Sequence, residues 1–454
     1  MDFDLVIKNG TIVTAESTYR ADVGVRGERI AAIGDNLAGV REIDAAGKLV
    51  TPGAVDIHVH MQMPLPSGVV SADTFFTGTR AAAFGGTTTI IDFVTPEVEQ
   101  SMMDALAKRR AEADGQAVID YGLHMTIGPA EMAKLSEMAA VFDAGCTSFK
   151  LYMAYGFRLD DSQLLQALEA VAGVGGLPVV HAENWDIICT LVARNLAAGR
   201  SEPRWHPQSR PALMEGEAAG RVIDLATLVG TPLHIFHVSC AETVERIAAA
   251  RGRGLPVTGE PCPQYLLLTD ALYERPGIAG ALPVCAPPLR SEADQQRLWQ
   301  ALARDELQLI ATDHCPFSSV DKARGRHDFS LIPGGVPSIE MRFAAMFAGG
   351  VGPGNLSLNR WVDICCTTPA RLLNLPQKGS ITVGNDADLV VFDPHAEVVL
   401  SYNWLHENVD WTPYEGLVIR GWPAVTISRG RVLVENGEFK GAAGHGRFLR
   451  RSIA

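Results

Sequence analysis

The 454-residue sequence predicts an α/β protein: a (β/α)8 TIM-like barrel with a second, small β-sandwich-like domain formed from both chain termini. Three observations carry this reading. From residue 51 onward, short apolar and β-branched runs alternate with helical segments, as parallel β/α units require. Eight such runs can be counted, the number that closes a barrel instead of leaving an open sheet. The two ends of the chain read as β-structure with hairpin-type turns, and neither is long enough to bury a good core alone.

In chain order, 5–8 and 11–14 flank Asn9-Gly10, a strong two-residue hairpin signal, and 21–26 and 29–33 flank Gly27-Glu28. The barrel is assigned to 52–375. Its predicted strands are 55–57, 88–94, 121–127, 148–152, 178–181, 233–238, 256–259 and 307–312, with helices over 101–113, 161–172, 215–229, 242–253 and 292–304. From 376 to 440 the pattern is β again: 379–392 holds two short runs around a Gly/Asn/Asp turn, and 424–428 and 431–435 flank Arg429-Gly430. These pieces are expected to pair with 1–51 into one discontinuous β domain. The last stretch, 441–454, is basic and is expected to be an arm.

Composition narrows the function classes. The chain is 47% hydrophobic and 20% charged, as in a well-buried globular enzyme, and its net charge of −13 argues against nucleic acid or an anionic membrane surface as partner. No apolar run approaches a membrane span, and the N-terminus lacks the charged-then-apolar signal pattern. The eight cysteines are scattered, with no Cys-x-x-Cys, which fits reduced thiols and a cytoplasmic location.

The first predicted barrel strand ends in His58-Val-His60. On a strand, an i, i+2 spacing puts both imidazoles on one face, and neutral imidazole is the commonest metal ligand. Alone, so short a motif favours two half-buried histidines in an ordinary strand. The rest of the chain changes that balance. Lys150 lies on the fourth strand, His181 ends the fifth, His237 ends the sixth and Asp313 follows the eighth. Barrel active sites lie at the carboxyl ends of the strands, so five separate strands deliver polar residues to one mouth. His181 and His237 could individually be core histidines, Asp313 a helix cap and Lys150 a snorkelling lysine, but their joint arrival at strand ends favours a site.

Four histidines and one aspartate are too many for a single tetrahedral ion. Two divalent ions, Zn2+ by preference, need an anionic bridge. A buried lysine kept neutral can take up carbon dioxide as a carbamate and supply one. A hydroxide shared by the ions would then attack near neutral pH, with Asp313 passing its proton to the leaving nitrogen.

Together with Pro52-Gly53, the strings His58-Val-His60, Ser148-Phe-Lys150, His181-Ala-Glu-Asn184, His237-Val-Ser-Cys240 and Thr312-Asp-His-Cys-Pro-Phe317 resemble the cyclic-amidohydrolase branch of the amidohydrolase superfamily. Within it the chain is most similar to the dihydropyrimidinase/hydantoinase group. Supporting stretches include Gly259-Glu-Pro-Cys-Pro-Gln-Tyr265, Pro287-Pro-Leu-Arg290 and Asn408-Val-Asp-Trp-Thr-Pro-Tyr-Glu-Gly416. The resemblance implies a metal-dependent hydrolase that opens hydantoins or dihydropyrimidines to N-carbamoyl amino acids. It assigns His58, His60 and Asp313 to one metal and His181 and His237 to the other, with carbamylated Lys150 between them. It also implies Tyr155 as the oxyanion donor, main-chain substrate contacts at Ala286 and Gly334, and a homotetramer.

Ala286 stands where the group commonly has Ser, and Ile332-Pro-Gly-Gly335 where it often has Ile-Pro-Asn-Gly. The loop 61–71 carries Leu65 where Phe is frequent. These departures leave a related ring, allantoin or a cyclic imide, as the alternative substrate. A non-catalytic scaffold of the same fold would lack ligands, and none is missing. His234 is expected to face away from His237, His314 alternates away from Asp313, and Cys240 and Cys315 are not needed as nucleophiles.

Overall fold

The computed structural model describes residues 3–452; residues 1, 2, 453 and 454, the ends of the predicted N-terminal domain and of the predicted arm, lie outside the described residues. Seven parallel strands form the barrel wall: β1 (Ala54–Asp56), β2 (Thr87–Val94), β3 (Asp120–Ile127), β4 (Ser148–Tyr152), β5 (Leu177–His181), β6 (Leu233–Ile235) and β7 (Val257–Gly259). They hydrogen-bond in sequence order. Every residue of β2 and β3 is buried, as expected where helices cover one face and barrel side chains fill the other. Several of the predicted helices start at side-chain caps: Ser101 accepts from the Asp104 N–H, and Asp160 and Gln163 form a reciprocal capping box. Helices Phe75–Phe84 and Trp185–Ala197, absent from the sequence reading, start at Thr74 and Asn184. The first is Ala-rich and buried on most sides, so it lacks the polar stripe that marks an amphipathic helix.

The predicted eighth strand, 307–312, forms no regular ladder. On one side Gln308 and Ala311 donate to the carbonyls of Gly259 and Pro261. On the other, a side-chain seam replaces the ladder. The Thr312 N–H and hydroxyl donate to the Asp56 carboxylate at 3.1 and 2.7 Å. The buried Arg342 guanidinium donates to the carbonyls of both Val55 (3.1 Å) and Ile310 (3.0 Å). A cation wedged between two carbonyls occupies the place of strand pairing. The circuit closes just beyond it, where the His60 N–H donates to the His314 carbonyl at 2.8 Å.

The terminal segments build two further sheets. One has Phe3–Lys8 between Asp22–Arg26 and Gly39–Asp44, with Arg29–Gly34 at its edge. In the other, Leu389–Val399 pairs antiparallel with both Val418–Ser428 and Leu49–Pro52, so N- and C-terminal chain share one ladder. Ile7, Val25, Ile43, Val50, Val391 and Ile427 pack together in the apolar layer these sheets share. The expected hairpins at Gly27-Glu28 and Arg429-Gly430 form. The one at Asn9-Gly10 does not: Phe3–Lys8 and Thr11–Val13 enter different sheets. The Asn9 N–H donates to Asp22 and its side-chain amide to Asp44, both at 2.9 Å, and a Cβ on Gly10 would stand 2.4 Å from Val50. The turn is a corner between layers. Of the two runs predicted in 379–392, only the second is a strand.

At the amino end of β3, Asp120 joins Asp386 and Asp388 around the buried Lys378 ammonium, at 2.6, 2.9 and 2.7 Å. The chain predicted as an arm lies against this end of the barrel, where the Tyr121 N–H donates to Arg447 and Leu449 donates back to Tyr121.

Candidate functional site

The site begins where β1 runs out. His58 and His60 follow its last residue, keep the alternation, and are buried at the mouth of the barrel. Phe93 of β2 supports them, stacked on His60 at 4.5 Å and edge-on to His58 at 5.2 Å. Asp313 arrives from the opposite side of the closing seam. Its Oδ1 lies 3.1 Å from Nε2 of both His58 and His60, and one ligand atom from each of the three residues falls within 4.8 Å of the others.

The hydrogen bonds behind this trio settle which nitrogen faces it. The His58 Nδ1–H donates to Glu260 Oε1 at 2.8 Å, and Glu260 Oε2 accepts from His234 at 3.0 Å. With Nδ1 so engaged, Nε2 is the nitrogen that faces the Asp313 oxygen, and a cation, whether a metal ion or a proton, has to lie between the two. Burial opposes ionisation of Asp313, but His58 and His60 outweigh it and hold its carboxyl well below the ordinary range. It is a carboxylate, not an acid.

His181, the last residue of β5, and His237, two residues past β6, form the second half. Their rings meet edge-on with centroids 4.4 Å apart, and His237 is 5.4 Å from His58. The His181 Nε2–H is taken by Glu183 at 2.8 Å, which leaves Nδ1 for the mouth of the barrel. Burial opposes ionisation of Glu183 as well, but the Arg210 guanidinium and His181 hold it at about 2. His237 makes no hydrogen bond among the described residues, its Nδ1 is buried, and burial pushes its pKa well below the ordinary value. These are neutral imidazoles, the form that binds metal.

Lys150 of β4 is 1% exposed. Its amine sits 4.1 Å from the Phe236 ring, 4.8 Å from Tyr152 and 5.5 Å from Phe93, with no hydrogen bond or ion pair among the described residues. Burial pushes the amine down to about 7, with Asp313 and Glu260 opposing. Much of it is thus neutral near pH 7.

Three of the candidate residues hold left-handed backbone: Tyr155 (φ 73°), His237 (φ 41°) and Asp313 (φ 51°). Such strain in non-glycine residues gathers where the surroundings impose a functional geometry. It also explains a misreading of His234. That residue was expected to face away from His237, yet it lies inside the barrel, 5.2 Å from Phe236, beneath Glu260. β6 ends at Ile235, and the turn at His237 breaks the alternation. His314 does turn away, to Asp73 at 2.9 Å.

The Tyr155 ring lies 5.1 Å from His181 and 5.5 Å from Trp185. Ala286 and Gly334 are neighbours: a Cβ on Gly334 would lie 3.9 Å from the Ala286 nitrogen. Each interrupts an otherwise buried stretch. Sequence reasoning assigned no role to Glu260, Glu183 or Arg210. Glu183 carried a readable signal, a carboxylate two residues after a ligand-type histidine that ends a strand. Glu260 carried none, because its partner is 202 residues away.

The amidohydrolase family profile matches residues 49–433. A D-hydantoinase from Streptomyces coelicolor is 45% identical over 98% of this chain and 98% of its own. The fold superimposes on the crystal structure of a dihydropyrimidinase from Brevibacillus agri with a TM-score of 0.96, at 45% identity over 98% of both chains. A D-hydantoinase structure from a Bacillus species gives 0.97, again at 45% identity, over 99% of both chains.

Proposed function

The chain belongs to the amidohydrolase family, and from that premise we propose that it hydrolyses the cyclic amide of hydantoins or dihydropyrimidines to N-carbamoyl amino acids. The observation that carries this is the convergence of two imidazole nitrogens on one carboxylate oxygen at 3.1 Å, a cation site by its chemistry. The donor set fits two divalent ions, zinc by preference: His58, His60 and Asp313 for one, His181 and His237 for the other. Lys150, buried among aromatic faces and without a carboxylate partner among the described residues, fits as a carbamate that would help to hold both. Bound there, the ions supply activated water near neutral pH and a Lewis-acid pull on the ring carbonyl.

The chain's own residues do the rest. The amide edge of the ring docks on main-chain groups at Ala286 and Gly334. As water oxygen adds to the ring carbonyl carbon, Tyr155 donates a hydrogen bond to the oxygen that gains charge. Asp313, ionised and within reach of the same space, takes the proton of the attacking water and returns it to the ring nitrogen as the C–N bond breaks. Glu260 and Glu183 keep His58 and His181 in the tautomers this needs.

No helix among the described residues is long and apolar enough to cross a membrane. All eight cysteines are free thiols, which supports a reducing, cytoplasmic setting. A homotetramer belongs to the same proposal, supported by the family resemblance.

The test is ring opening by the metal-loaded protein on hydantoin, phenylhydantoin, dihydrouracil, allantoin and a simple cyclic imide, each with and without chelator. Chelator-sensitive turnover of the first three is expected. Turnover confined to allantoin or the imide would overturn the substrate assignment, and no turnover with no bound zinc would point to a scaffold.

A further inference from the structure

The strip Val284-Cys-Ala-Pro287 passes the site with its backbone held from behind. Each carbonyl but one is engaged. The Lys322 Nζ donates to the Val284 carbonyl at 2.6 Å, the His206 Nε2–H to the Cys285 carbonyl at 2.8 Å, and the Tyr265 hydroxyl to the Pro287 carbonyl at 2.7 Å. The Ala286 N–H and carbonyl have no partner among the described residues, and Ala286 is the one residue from 283 to 290 that is not buried. The Gly335 N–H also donates to Val284, at 3.0 Å, so the strip and the Gly334 edge are tied together. Gly335 is fixed in turn: its φ is 147°, and a Cβ there would stand 2.2 Å from the Cys315 carbonyl oxygen, two residues after Asp313.

We propose that His206, Lys322 and Tyr265 are positioning residues for substrate recognition: they lock the strip so that only the Ala286 peptide edge is presented to the ring. The inference rests on the reading of Ala286 and Gly334 as the substrate-binding edge. The three side chains are 7%, 0% and 2% exposed. Burying a lysine amine is costly, and Lys322 has no carboxylate partner among the described residues, so packing alone would favour an apolar residue there. Its one hydrogen bond goes to the strip. His206 lies on the short helix Trp205–Ser209, immediately before Arg210, whose guanidinium grips Glu183 behind His181. The strip and the His181 support thus share one anchor. This arrangement suits a ring amide, which offers a donor and an acceptor side by side and needs a backbone edge that does not rotate.

The test compares His206→Leu, His206→Gln and Tyr265→Phe with the parent holoenzyme. Tyr265→Phe removes one hydroxyl and keeps the ring, so it folds even where His206→Leu does not. Losing a pin should raise KM for hydantoin about tenfold, with kcat changed less than about threefold and metal content unchanged. Gln, whose amide can donate from nearly the same place, should restore KM. Amide hydrogen exchange of the peptide spanning 281–289 should quicken in His206→Leu and Tyr265→Phe and recover in His206→Gln. Unaltered exchange in both would overturn the pinning, whatever the activity. Faster exchange with an unaltered KM would overturn its link to recognition. A parent enzyme that opens no ring would sink the substrate reading instead, and exchange would still decide whether the strip is pinned.

Discussion

Glu260 accepts the Nδ1 hydrogen of His58 across 2.8 Å in a fully buried pair. The same carboxylate accepts from His234 with its other oxygen, so one acidic side chain fixes the ring that faces Asp313 and is itself fixed from below. Replacing Glu260 with Gln keeps the size but offers one oxygen and an NH2 group where two acceptors are needed. Metal affinity should fall about 10- to 100-fold, as for other outer carboxylates that orient a ligand histidine. Activity should recover in excess metal. Equilibrium zinc titration with a competing chelator measures this, and wild-type affinity in the variant would show that His58 needs no such orientation.

That contact shows how much of the site could be read from the chain. The candidates His58, His60, Lys150, His181, His237 and Asp313 could be picked out because barrel geometry sends strand-end residues to one mouth, and most of the strands were visible as apolar runs. The left-handed turn at His237 was not, because nothing in Phe236-His-Val238 signals positive φ. Hence the facing of His234 came out reversed. Asn9-Gly10 misled for a related reason: the dipeptide specifies a tight turn but not which sheet receives the next strand, and Val50 against Gly10 decides that. The eighth strand failed as a ladder because Arg342 and Asp56, more than 280 residues apart in the chain, share its seam. Long-range polar contacts leave no local pattern.

The Lys378 cradle is another such contact, and its weight is testable. One ammonium meets three buried carboxylates, with Arg429 adding a second cation to Asp120 at 3.1 Å. Lys378→Met would leave Asp386 and Asp388 buried beside Asp120 with too little positive charge. The loss should be roughly 3–5 kcal/mol, the usual cost of breaking a buried ion pair from one side. The cradle lies at the amino end of β3, so kcat per folded molecule should stay close to wild type. Urea denaturation with parallel assays checks both, and a variant as stable as the parent would show that the carboxylates simply take up protons.

Lys322 gives a pH prediction whose sign can be worked out. Burial pushes its amine from the ordinary 10.5 to about 7, with Cys285 and Cys315 opposing. Between those values the unfolded chain holds a proton that the folded one has released, so this lysine makes stability rise with pH from about 7 to about 10.5 and has no effect below. Other buried groups titrate in the same range, including Glu407, which burial pushes up to about 8. The informative quantity is therefore the difference between wild type and Lys322→Met. It should grow in favour of wild type by about 1.4 kcal/mol per pH unit above pH 7. Denaturation at pH 7, 8 and 9 reads it, and a flat difference would show that Lys322 stays protonated when buried.

Tyr155 carries the sharpest prediction for the chemistry. Burial raises its hydroxyl well above the ordinary value, with Arg210 opposing, so it keeps its proton at any working pH and can act as a donor. Its φ of 73° is one an aromatic residue rarely adopts, and the ring is wedged between His181 and Trp185. A residue that only packed on the rim would not need that backbone, and its hydroxyl could be removed without consequence. A donor aimed at the developing oxyanion acts in the transition state, so its loss should appear in kcat more than in KM. Tyr155→Phe keeps the ring and should lower kcat about 10²- to 10³-fold, the range for deleting one oxyanion donor. Metal content and melting temperature should stay at wild-type values. Steady-state kinetics on hydantoin and dihydrouracil, with zinc counted in the same samples, make the comparison. A kcat within threefold of the parent would return Tyr155 to a packing role and leave the oxyanion to the metal centre alone.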